Sequence, residues 1–534
     1  MALAELIGQK LMLAFVGSEP APELLDALSR HPIAGVTLFR SHNAPGPRET
    51  RALTDALQAA AAAAGRSPLL IGADQEGGQL MAIPGTTPFP GNLALAATGS
   101  DELAHATGRA LGRELAAMGV NVNYAPVCDV NINPQNPVIG TRSFGEDPAT
   151  VSRMAAAMIA GMQSAGVAAC AKHFPGHGDT ASDSHDGLVT VPHSRVRLDQ
   201  VELPPFAAAI AADVRLIMTA HVALPALTGG QAIPSTLAPQ VLRGLLRGAM
   251  GFGGVIISDA MDMRAIGAGP ALVADAIAAA AAGVDLLLMH ADYADQRAAF
   301  EGLLQAARRG LLDSADLQAS AERVLALKRW LAGQPRPALE VIGSAEHQAL
   351  AAATAARATT LVHDHANLLP LRLPPGARVA VVVPQSVDLT PADTSSYIRC
   401  ELARAVRRYH PGADEINIPA DPSEGEVAAI RQRLAGYDLA IVGTINATAQ
   451  PGQAAVVNAA LADGIATVVA ALRMPYDLAA FPSAPTYLCS YSILPPSVDA
   501  LADAIWGHAP IGGRLPVSIV GHYPLGRGEV REGL

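Results

Sequence analysis

Seven short aliphatic runs recur through the first 290 residues, at 33–39, 69–73, 120–126, 167–172, 216–220, 255–258 and 284–289. Each is followed by a helix-length segment or a Gly/Pro-rich loop, a rhythm that predicts repeated βαβ units. The runs are apolar at nearly every position, as strands must be when helices cover both faces of a parallel sheet. Seven strands over about 300 residues fit a TIM-like (β/α)8 barrel, with one strand irregular or hidden, better than an open sheet. Helical patterns at 51–64, 102–118, 148–165, 294–309 and 316–331 supply the outer layer.

Around 333–338 the segment GQPRPA breaks the helical rhythm, and a helix-like stretch at 345–358 leads into a second set of strands. These lie at 379–383, 439–444, 466–472 and 486–491 and alternate with helices at 424–435 and 453–461. The expected fold class is therefore α/β: a TIM-like catalytic barrel over 1–335, a linker at 336–344, and a smaller open α/β sandwich domain over 345–534. No repeat of solenoid period is present.

Composition narrows the function classes. Half of the 534 residues are hydrophobic, 16% are charged and 4% are aromatic, so an aliphatic core forms and disorder is excluded for most of the length. Lys plus Arg number 37 against 48 Asp plus Glu, a net charge of −11, and no basic run interrupts that acidity, which argues against a nucleic-acid partner. The four cysteines, Cys128, Cys170, Cys400 and Cys489, are far apart and read as buried thiols of a reducing compartment. The segment 1–17 reads as a first helix, because Glu5, Gln9 and Lys10 interrupt its apolar character, and not as a signal peptide. The nearest approach to a membrane span, 271–288, contains Asp275, Gly283 and Asp285 and reads as a soluble helix feeding a strand. The expectation is a cytoplasmic protein with a small-molecule partner, no membrane association and an open oligomeric state.

Chemistry concentrates at the ends of the predicted strands, where a barrel carries its catalysis. The stretch CAKHFPGHGDTASDSHDGL, 170–188, packs six His and Asp side chains among glycines and prolines. Within it Asp183 and His185 are two apart, so the carboxylate can orient the imidazole for proton transfer near neutral pH. His173 and His177 have the i, i+4 spacing of a metal pair, but Pro175 and Gly176 spoil the helix that spacing needs. In GVIISDAMDM, 254–263, an apolar strand ends on Asp259, with Asp262 positioned for the first turn of a following helix. GADQEGG, 72–78, is acidic and followed by glycines that allow a close backbone approach to a ligand. NPVIGTRSF, 136–144, puts Arg142 on a loop, where a guanidinium can grip hydroxyl or carboxylate oxygens with two parallel bonds. Convergence of these strand ends would form a pocket for a polyhydroxylated ligand.

In order, DQEGG, NPVIGTRSFG, KHFPGHGDT followed by DSH, MTAH and SDAMDM resemble glycoside hydrolase family 3, in its β-N-acetylglucosaminidase branch and two-domain form. LLPL at 368–371 and GRLPVS at 513–518 look like the family's C-terminal domain, so the resemblance covers nearly the whole chain. It implies that Asp259 is the nucleophile, His185 the acid/base and Asp183 its partner. It further implies that Asp74, Arg142, Lys172 and His173 hold sugar hydroxyls, and that no metal or organic cofactor is needed. His221 in MTAH stands at another strand end without an assigned role. The implied reaction is retaining removal of terminal β-linked N-acetylglucosamine, with muropeptide sugars as a source during peptidoglycan recycling. One departure stands out: where the family continues DQEGG with arginine, this chain has Gln79, followed by Leu80 and Met81. Three alternatives stay open: a β-N-acetylglucosaminide or β-glucoside phosphorylase, a metal-dependent barrel hydrolase using His173, His177 and His185, and a catalytically silent sugar-binding protein.

Overall fold

The structure is a computed structural model and describes residues 1–181, 187–266 and 271–533. Eight strands close a barrel: β1 (Leu11–Leu13), β2 (Gly35–Leu38), β3 (Leu70–Ala73), β4 (Val122–Asn123), β5 (Ala168–Phe174), β6 (Leu216–Thr219), β7 (Val255–Ala260) and β8 (Leu286–Leu288). Neighbours in sequence are neighbours in space and every pair is parallel, with β1 closing against β8 through Met12 beside Leu288. Local signals set the helix limits. Asp147 and Asp313 cap the starts of Pro148–Ser164 and Ser314–Ala332 by accepting backbone N–H bonds, and Gly283, at φ 114°, ends Leu272–Ala282 just before β8.

The eighth strand was hidden in the segment read as one helix. Residues 1–17 hold a short helix, Leu3–Gly8, and then β1. A three-residue strand is too short to show its own period, and Lys10 read only as an interruption of the apolar run. Lys10 is instead buried, its Nζ donating to the Val284 carbonyl at 2.7 Å and to Ser320 Oγ at 2.9 Å. Burial pulls that ammonium down to about 8, against the opposing pull of Asp285. Asp262 also departs from expectation: it lies in a turn, and the next described helix begins only at Leu272. Among the described residues no helix is long and apolar enough to cross a membrane.

The second unit is one six-stranded sheet: β9 (Thr360–Asp364), β10 (Val379–Pro384), β11 (Asp414–Ile418), β12 (Leu439–Thr444), β13 (Ala466–Ala471) and β14 (Thr486–Cys489). Their order is β9-β14-β13-β12-β10-β11, parallel except for β9, which runs antiparallel to β14 at one edge. The helix Ala345–Ala358 packs both on barrel helices, Asn92–Thr98 and Asp101–Ala117, and on Pro495–Ile505 of the second unit. Glu114 and His347 bridge the two units at 2.7 Å, and Glu146 accepts the Ser518 backbone N–H at 2.8 Å. The second unit is therefore seated firmly on the barrel.

Candidate active site

A cavity of about 330 Å3 opens at the carboxyl ends of the barrel strands. Asp74, Arg142, Lys172, His173 and Asp259 all line it. Lys172 and His173 belong to β5 itself, and Asp259 to β7. Both strands break register there, β5 between Ala171 and Phe174 and β7 between Ile257 and Ala260. Irregularities of this kind re-aim side chains at barrel rims.

Four charges form a continuous chain on one wall. Lys172 Nζ lies 2.6 Å from Asp74 Oδ1 and 2.6 Å from Glu76 Oε1, and Arg142 pairs with Glu76 through Nε at 2.9 Å and Nη2 at 2.8 Å. Burial by itself would raise the Glu76 carboxyl, but Arg142 and Lys172 outweigh it and hold the group down at about 2. Lys172 stays above its usual range because Asp74 and Glu76 overcome its own desolvation. The chain is formally neutral, so the charges compensate one another out of water. Only Asp74 has appreciable exposure, 23% of its side chain, and it is the member free to meet a ligand hydroxyl. The two-bond grip expected of Arg142 is thus taken by Glu76, and its Nη1 donates to the Val138 carbonyl at 3.0 Å. Two N–H groups of the guanidinium remain.

A second buried acid organises the histidines. Asp129, fully buried, accepts the His177 backbone N–H at 2.7 Å and pairs with His173 Nδ1 at 2.7 Å. Burial pushes its carboxyl up, yet His173 and the backbone donor bring it below the ordinary range. The pairing makes Nδ1 the protonated nitrogen of His173 and leaves Nε2 for the cavity. His177 pairs through Nδ1 with Thr180 Oγ1 at 2.8 Å, and burial lowers its proton affinity. His221 is absent from the cavity lining; its Nε2 donates to the Ala260 carbonyl at 2.9 Å, and its Nδ1 pairs with Thr236 Oγ1 at 2.7 Å. It braces the backbone beside Asp259, whose Oδ1 accepts the Ala260 N–H at 2.8 Å.

The glycines of DQEGG allow a tight turn and a close backbone approach within the protein. Gly77 and Gly78 have positive φ and turn a hairpin, and a Cβ on Gly78 would stand 3.1 Å from Gly91 Cα. Gln79, just past the turn, is the anchor for the second unit. Its carbonyl accepts the Thr394 N–H at 2.9 Å, its Nε2 donates to the Ala392 carbonyl at 3.2 Å, and its Oε1 accepts from Thr141 and Arg473. Arg473 also pairs with Asp393 at 2.8 Å. The loop after β10 thereby becomes another wall of the cavity, through Asp388, Pro391, Asp393, Thr394 and Tyr397, with Arg40 stacked 4.3 Å over the Tyr397 ring.

Glu76, Asp129 and the 388–397 wall escaped the reading of the sequence. Glu76 stood inside a quoted motif and Asp129 three residues past a predicted strand, so each carried a signal. The wall residues carried none. Asp183 and His185 lie outside the described residues, as does the third member of the proposed metal trio. Among the described residues the one His/Asp/Glu group close enough to share an ion is Asp179, His193 and Glu202, which contains neither His173 nor His177.

A parallel (β/α)8 barrel with a carboxylate at one strand end, facing an acid-and-cation wall in a sugar-sized cavity, describes a glycosidase. The description "Glycosyl hydrolase family 3 N terminal domain" matches residues 2–327, and the chain belongs to glycoside hydrolase family 3. It is 33% identical to "Beta-hexosaminidase A" of Pseudoalteromonas piscicida, over 97% of each chain. It is 30% identical to "Beta-N-acetylglucosaminidase/beta-glucosidase" of Cellulomonas fimi, over 96% of this chain and 93% of that one. Among solved structures, the family 3 β-N-acetylglucosaminidase from Paenibacillus sp. str. FPU-7 superposes with a TM-score of 0.91 at 36% identity, covering 97% of this chain and 99% of that one.

Proposed function

We propose that the chain is a retaining exo-β-N-acetylglucosaminidase. Asp259 attacks the anomeric carbon while His185, oriented by Asp183, donates a proton to the leaving oxygen. The glycosyl-enzyme bond to Asp259 is then broken by a water that His185 deprotonates. Asp74, held by Lys172, takes sugar hydroxyls, and His173 presents a ring edge fixed by Asp129. Arg142 acts mainly by anchoring Glu76. The observation that carries this reading is that Asp259 lines the same cavity as Asp74, Lys172 and Arg142, which Glu76 ties into one chain of charges. The full-length similarity to proteins named for hexosaminidase and N-acetylglucosaminidase activity supports the choice of sugar. Muropeptide-derived sugars in the cytoplasm are the proposed natural source.

The test is turnover of a chromogenic β-N-acetylglucosaminide and of the matching glucoside, with and without inorganic phosphate. Free N-acetylglucosamine, a preference for the acetamido sugar and indifference to phosphate are expected. Sugar 1-phosphate as the product would replace hydrolysis by phosphorolysis, and undiminished turnover by Asp259→Asn would remove the proposed nucleophile.

A further inference from the structure

A second cavity, of about 520 Å3, opens between the two units. The second unit contributes Leu389, from the loop after β10, and Asn446, Thr448 and Gln450, from the loop after β12. β10 and β12 are adjacent, and the winding of the chain reverses between them: β10 leads outward to β11, whereas β12 leads the other way through β13 to β14. In an open parallel sheet such a reversal parts the two crossover connections and leaves a crevice outside the carboxyl ends, where ligands bind. Here the barrel roofs that crevice with Asn131, Asn136 and Thr141.

The lining is rich in amides, contains one guanidinium, Arg473, and includes no carboxylate among the described residues. Asn131 and Arg473 are more than nine-tenths buried, yet Asn131 Oδ1 and Arg473 Nε have no hydrogen-bond partner, and neither has Asn446 Oδ1. Pro134, Pro137 and Ile139 supply apolar surface between them. Amide donors and acceptors spaced by aliphatic patches suit a pyranose, which offers hydroxyls at its rim and C–H groups on its faces.

We propose that this crevice is a second saccharide site, taking an uncharged pyranose, distinct from the catalytic cavity. Ile139 is the single lining residue the two cavities share among those described. Arg473 connects them, because it pairs with Asp393 of the catalytic wall and with Gln79. The choice of N-acetylglucosamine as probe rests on the proposed function; the existence of the site does not.

Calorimetric titration of the full chain with N-acetylglucosamine tests the proposal. Two equivalents are expected for wild type, one for Asp74→Asn, and one for Ala449→Trp, which places an indole in the crevice from an exposed position. Thr448→Trp is the second blocking variant, and unchanged melting of both shows that the fold persists. Fewer than two equivalents in wild type, or a second equivalent that survives both tryptophan variants, overturns the proposal. Loss of one equivalent in the tryptophan variants but none in Asp74→Asn would leave the crevice site standing and remove the catalytic reading instead.

Discussion

Replacing Glu76 by Gln removes the central anion of the four-charge chain while keeping its volume. Glu76 has 2% of its side chain exposed, touches two cations, and is held at about 2 against an ordinary value of 4.5. That difference favours the ionised folded state by about 3 kcal/mol at pH 7, in line with the roughly 3–5 kcal/mol lost when one partner of a buried pair is removed. The depressed value fixes the direction with pH. The contribution is complete above about 4.5 and fades as pH falls toward 2, so near pH 3 about half of it remains. Urea denaturation of both proteins at pH 7 and pH 3 should show the gap closing by about half. Lys172 and Arg142 lose their shared anchor as well, so kcat/KM should fall about 10- to 100-fold. Equal stability at pH 7, or a gap that does not narrow with acid, would refute the account of this wall.

Three further outcomes are expected. Asp259→Asn should lower kcat roughly 10³-fold or more with its melting temperature kept, as read by turnover of the chromogenic substrate and by calorimetry. Asp129→Asn leaves the His173 and His177 donors with a weaker acceptor and should cost about 2–4 kcal/mol by denaturant titration; its effect should shrink in acid, because the wild-type carboxylate sits below its ordinary range. Arg473→Met strands the buried Asp393 carboxylate and loosens the wall after β10, so KM should rise several-fold while kcat changes little, a split visible in steady-state kinetics.

The strand ends were legible because each depends on a few contiguous residues. Val255 to Asp259 shows an aliphatic strand stopping at an acid, and the stretch from Lys172 to Asp179 shows a strand running into a His- and Gly-rich loop. β1 was not legible, since three residues beside a short helix carry no period of their own, and the lysine that ties it to the loop before β8 interrupts the apolar run. The departure at Gln79 was visible in the sequence, but its meaning was not. Whether that side chain faces substrate or a partner depends on Thr394 and Arg473, more than 300 residues away.

Aliphatic periodicity and contiguous motifs were enough to determine the barrel, the second α/β layer and the positions of Asp74, Lys172, His173 and Asp259 at strand ends, because all of these are encoded within a few turns of chain. Tertiary structure alone decided that Arg142 spends its grip on Glu76, that Asp129 steers two histidines, and that the second unit walls the cavity and encloses another beside it. Those outcomes turn on which distant side chains lose their water together, and a buried charge takes the nearest opposite charge regardless of its distance along the sequence.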